Sequence, residues 1–169
     1  MNPSNWKDRV YTFPAVLSDV EPDFDFEGRA PLTLQLTNAT GPWNAVTWLP
    51  ITGIGTEEVV HVGHATAVDV RGESADEPLV LTHWSPGDPE QIFELISSGF
   101  CPIAGTVSQV CDLVRGIGAS ELRQFMASVF TIPAVFRHFW TAPASREHHH
   151  AYAGGLAEHS LEVAVLAGA

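Results

Sequence analysis

The sequence predicts an α+β protein made of two domains, a small closed β-barrel followed by an all-helical region. Three observations carry this reading. Residues 9–84 contain five short β-type runs separated by turns. Beyond the Ser85–Asp88 segment the apolar residues take up helical spacing instead. Charge divides the chain as well: residues 1–100 carry 15 acidic and 4 basic side chains, whereas residues 101–169 carry 5 and 4. The domains are therefore drawn at 1–86 and 87–169.

The strands follow in order. Arg9–Val20 is a β-rich run leading into the acidic loop Glu21–Glu27. Pro31–Thr37 (PLTLQLT) alternates apolar and polar residues, the period of a half-buried strand. Asn38–Pro42 has turn composition, and Trp43–Leu49 is strand-like again, so the two runs pair as a hairpin. Val59–Val70 is long and β-branched, with Gly63 read as a bulge or barrel corner. Glu77–Trp84 is the fifth strand. Five short strands of this length suit an OB-type barrel or another small closed barrel, expected here to be antiparallel.

In the second half, Asp88 before Pro89 has the arrangement that opens a helix. Helical spacing covers residues 89–98, 103–116 and 119–139, and Pro133 must kink or divide the third of these. Ala142–Arg146 is a connector, and a last helix runs from about Gly155 to Leu166.

Composition excludes several classes. Net charge is −12, with a single lysine, Lys7. Such a chain cannot bind nucleic acid through a broad basic surface, which needs Lys and Arg to displace counterions from phosphate. Cys101 and Cys111 form no CxxC pair, which argues against a structural zinc site or a disulfide framework. The first residues lack the basic and apolar regions of a signal peptide. No apolar run approaches the ~18 residues that span a bilayer. A cytoplasmic protein without a membrane partner is the expectation.

Four of the eight histidines lie close together: His148, His149, His150 and His159, in EHHHAYAGGLAEHSLEVA. At helical spacing His159 shares a face with Leu156, Val163 and Leu166, while Glu158 and Glu162 lie to one side. This puts an imidazole on a stripe expected to be buried. Spacing leaves two roles open, a hydrogen-bonded core residue or a metal ligand. The three upstream histidines and the Gly154–Gly155 pair add weight to the ligand role.

The stretch FWTAPASREHHHAYAGGLAEHSLEVA (Phe139–Ala164) resembles the opening of the HD domain in YhaM-type 3'→5' exoribonucleases. LTLQLTNATGPWNAVTWLP (Leu32–Pro50) and HVGHATAVDVRG (His61–Gly72) resemble that family's OB-domain strands. The resemblance implies an OB-type barrel followed by an incomplete HD-domain helical bundle. It implies a metal-dependent phosphohydrolase in which an ion activates water for attack on a phosphodiester. It gives His159 the role of metal ligand and sets His149, His150 and Tyr152 near the active site or substrate. It implies Mn2+ or a similar divalent cofactor, and single-stranded RNA or DNA as partner, with Trp43 and Trp48 as a nucleic-acid face. The chain stops at Ala169, before the His-Asp pair and later Asp of such a site, and contains no His-Asp dipeptide. A two-metal site, and therefore activity, would need those further ligands. An uncovered last helix leads to an expectation of self-association or of fraying after about residue 142. Relaxase-associated HD proteins of conjugative elements share a similar PAS–HHH–GG–L–H–LEVA block and form the second reading. A non-enzymatic OB binding module is the third.

Overall fold

The structure, a computed structural model, describes residues 9–22, 31–48, 60–70 and 77–168. It divides into two compact units, Met1–Asp88 and Pro89–Ala169. The first holds strands β1 (Val10–Pro22), β2 (Leu32–Asn38), β3 (Gly41–Thr47), β4 (His61–Val68) and β5 (Leu79–Pro86). The second holds α1 (Ile92–Leu95), α2 (Thr106–Arg115), α3 (Ser120–Phe130), α4 (Pro133–His138) and α5 (Gly155–Gly168). This is an α+β protein.

The five strands form one mixed sheet that closes in the order β1-β2-β3-β5-β4, with β4 pairing back onto β1. Four of the pairings are antiparallel, but β3 and β5 run parallel, with Ala45 opposite Leu79 and Val46 opposite Val80. The expected all-antiparallel arrangement is thereby corrected. Strand directions cannot alternate around a closed ring of odd number, so at least one neighbouring pair must be parallel. The alternation read from PLTLQLT fills the interior: Leu34 and Leu36 point inward beside Ala15, Leu17, Ala45, Ala65, Ala67, Leu79 and Leu81.

The β2–β3 hairpin turns at Thr40, whose backbone N–H donates to the Asn38 side-chain oxygen at 2.8 Å. Such Asx geometry is why Asn suits a tight turn. Gly63 is not at a bulge, one of the two roles expected of it; the irregularity in the β4–β5 pairing falls at Thr66/Ala67. A Cβ on Gly63 would lie 2.3 Å from the Ser85 carbonyl oxygen and 2.7 Å from the Trp84 ring. Its small size is what seats Trp84 against the core. Leu49 and Val59, assigned to strand ends in the sequence, and most of the acidic loop lie outside the described residues, although Glu21 itself is in β1.

In the helical unit the stretch 89–98 is not one helix. A 3-10 turn at Pro89–Gln91 passes into the single turn of α1, and Ile96 is already extended. The following Ser-Ser-Gly favours a local turn, in which the Ser97 hydroxyl accepts from the Gly99 N–H. α2 starts after Gly105, which sits at φ 81°, and buries Val107, Val110, Cys111 and Val114 on one stripe. Pro133 divides the third segment into α3 and α4. Ile132 before it is extended, as the steric demand of a following proline requires, and Pro133 occupies the first turn of α4. Phe93, Phe130, Phe139 and Trp140 pack ring against ring, with centroids 4.9–5.6 Å apart. Among the described residues, no helix is long and apolar enough to cross a membrane.

A histidine–glutamate cluster as candidate functional site

The histidine loop is held against the start of α5 by backbone geometry. The Gly154 N–H donates to the Thr141 carbonyl and the Leu156 N–H to the Ala142 carbonyl, both at 3.0 Å. The Ala144 N–H donates to the His150 carbonyl, also at 3.0 Å. Ser145 folds the loop by accepting from the His148 N–H and donating to the His149 carbonyl. The glycine pair is required here. Gly154 has φ 86°, a region that disfavours side chains. A Cβ on Gly155 would stand 2.1 Å from the His150 carbonyl oxygen. His150 itself takes φ 59°, which is uncommon for a residue with a side chain.

This backbone brings His150 over the first two turns of α5. Its Nδ1 lies 2.9 Å from the Tyr152 hydroxyl and 3.1 Å from Glu158 Oε2. Its Nε2 lies 3.1 Å from Glu162 Oε2. Tyr152 in turn donates its hydroxyl hydrogen to Glu158. That bond holds the Glu158 carboxyl below its usual range and pushes the Tyr152 phenol up, so the pair stays carboxylate and phenol at neutral pH. The His159 ring faces the His150 ring with centroids 5.1 Å apart. One donor atom each from His150, His159 and Glu162 lies within 4.8 Å of the others, a set that could hold a metal ion.

The sequence readings fare unevenly. His150, Tyr152 and His159 do converge. His149 is exposed and does not join the cluster. His159 is exposed too, contrary to the buried stripe expected for it. Helical periodicity says which residues share a face, and neighbouring elements decide which face is covered. Here α5 packs against α2 and buries Gly155 and Ala157, leaving Val163 and Leu166 51% and 77% exposed. Glu158 and Glu162 were missed as site residues. The available signal was the i, i+3 spacing of His159 and Glu162, which makes them neighbours on a helix surface. In the barrel, Trp43 is half-buried with its ring 5.5 Å from Phe13, whereas Trp48 is 63% exposed.

Fold and site together define a two-unit α+β protein with a surface cluster of imidazoles and carboxylates where the histidine loop meets its last helix. The family described as "Putative helicase" (TraI_2) matches residues 114–169, a segment that contains the whole cluster. No curated protein and no solved structure matches the chain. The matching family is described as a putative helicase and not as an HD exoribonuclease, so the exoribonuclease resemblance is corrected. The histidine block on which that resemblance rested, His148–His159, lies wholly inside the segment matched by the other family. The relaxase-associated reading fits the match better.

Proposed function

We propose that this chain handles DNA in a relaxase-associated setting, meeting the phosphodiester backbone through a divalent ion held by the helical unit. The observation that carries the reading is the family match over residues 114–169, which takes in the loop, α5 and every member of the histidine–glutamate cluster. Charge supports the part given to the ion. With 20 acidic against 8 basic residues, the chain repels phosphate unless a cation is supplied. A bound divalent ion is the largest local charge a site can have, and it can bridge a carboxylate to a phosphoryl oxygen.

An OB-type reading of the barrel is supported by its five-stranded closure with β3 beside β5. Exposed Trp48 is the proposed stacking surface, whereas Trp43 packs against Phe13 and the barrel core. The test is fluorescence anisotropy of a labelled single-stranded DNA oligonucleotide, with Mn2+ or with chelator. Binding should require Mn2+ and exceed binding to an RNA of the same sequence. Trp48→Ala should weaken it by roughly 1–3 kcal/mol, the range for one stacked base. DNA binding that is absent with Mn2+, or equal in chelator, would overturn the reading.

A further inference from the structure

We infer that His150 Nε2, His159 and Glu162 form a transition-metal site of two imidazoles and one carboxylate, with Tyr152 and Glu158 as the clamp that orients His150. This deepens the proposed function and rests on it only for the use of the ion.

The ligand assignment begins at His150. Its Nδ1 faces two oxygens, the Glu158 carboxylate and the Tyr152 phenol, whose own hydrogen is already given to Glu158. Only an N–H at Nδ1 satisfies both. In the neutral ring the lone pair is then at Nε2, on the side of Glu162. Neutral imidazole is the ligand form, and a carboxylate on the far ring nitrogen is the usual partner of a metal-bound histidine.

Spacing agrees. Donors about 2.0–2.2 Å from one ion sit about 3–3.5 Å apart when adjacent on it. His150 Nε2 and Glu162 Oε2 are already 3.1 Å apart. The third donor, on His159, closes the set within 4.8 Å, and its ring is exposed and can turn toward the other two. His159 and Glu162 are one helical turn apart on α5, and His150 reaches them from the opposite side across the loop that Gly155 makes room for. Three protein donors leave further coordination positions that a phosphoryl oxygen or water can fill.

The donor set names the class of ion. Two imidazole nitrogens favour Mn2+, Fe2+, Co2+ or Zn2+ over Mg2+ and Ca2+, which prefer oxygen-only shells.

Titration of the full chain with Co2+, followed by visible absorption, tests the assignment with the metal alone. One ion per chain should bind, and excess Mg2+ should not displace it. His150→Ala, His159→Ala and Glu162→Gln should each weaken binding at least 100-fold, and Glu158→Gln by about 10–100-fold, the usual loss on removing an orienting partner. His83→Ala in β5 should change nothing. Far-UV circular dichroism reports folding, and His159→Gln serves where the alanine variant does not fold. Co2+ binding unchanged in His159→Gln and Glu162→Gln would overturn the site, and unchanged binding in Glu158→Gln would overturn the clamp. The two proposals fail separately. Co2+ bound at these residues without any DNA binding removes the functional reading alone. Mn2+-dependent DNA binding that survives His159→Gln and Glu162→Gln removes this assignment alone.

Discussion

The barrel draws its core from alternate positions of its strands, Ala15 and Leu17, Leu34 and Leu36, Ala65 and Ala67, Leu79 and Leu81. The helical unit builds much of its interior from aromatic rings in α1, α3 and the α4–loop junction, with Trp140 fully buried. In the first unit each buried side chain is small or branched, and many contribute a little. In the second a few rings contribute a great deal each. The difference teaches where each unit is vulnerable: the barrel tolerates loss of one side chain better than it tolerates added volume, and the helical unit depends most on its few large rings.

The largest expected effect breaks the helical unit. Trp140→Ala removes a fully buried indole that packs on Phe130 and Phe139, and should cost about 3–5 kcal/mol. Chemical denaturation should show the helical signal lost at lower urea, while the β signal keeps its midpoint. A common shift of both signals would show that the units unfold as one and that the contrast is false.

Added volume makes the opposite test. Gly63→Ala in the barrel forces a methyl against the Ser85 carbonyl and the Trp84 ring, and should cost about 1–3 kcal/mol. Gly155→Ala meets only the histidine loop, at the His150 carbonyl. The clash is with backbone, so it should lower thermal stability at least as much as Gly63→Ala, and it should also displace His150 and abolish Co2+ binding. A Gly155→Ala protein with wild-type metal affinity would mean that the loop is not held as described.

The smallest effect concerns pH in the barrel. Burial lowers the pKa of His61 below its ordinary 6.5, and its Nε2 is buried without a hydrogen-bond partner among the described residues. The folded state therefore prefers the neutral ring. The corresponding stability is fully present above about pH 6.5 and is lost as pH falls through the lower folded value. Barrel stability measured at pH 7.5 and pH 5.5 should fall for the wild type. It should fall less for His61→Leu, and equal losses in the two proteins would remove His61 as the cause.

Much of the fold was legible because period is a local property. LTLQLT must put Leu34 and Leu36 on one side of a strand whatever surrounds it. Val107, Val110, Cys111 and Val114 must share one helical stripe, and Pro133 must interrupt a helix through its missing N–H and its ring. The sequence by itself thus determined two units, five strands, the main helices and the segment that holds the histidines. The tertiary structure decided what depends on distant neighbours. It set the parallel β3–β5 pair, because ring closure is a property of all five strands together. It gave Gly63 to Trp84 rather than to a bulge, because the contact lies between two paired strands that are distant in sequence. Above all it chose the site members. His150, Glu158 and Glu162 meet because Gly155 lets a left-handed turn at His150 lie against α5, whereas the adjacent His149 is exposed and outside the cluster. Periodicity assigns a side chain to a face, but only packing determines whether that face meets a neighbour, solvent or three other donors.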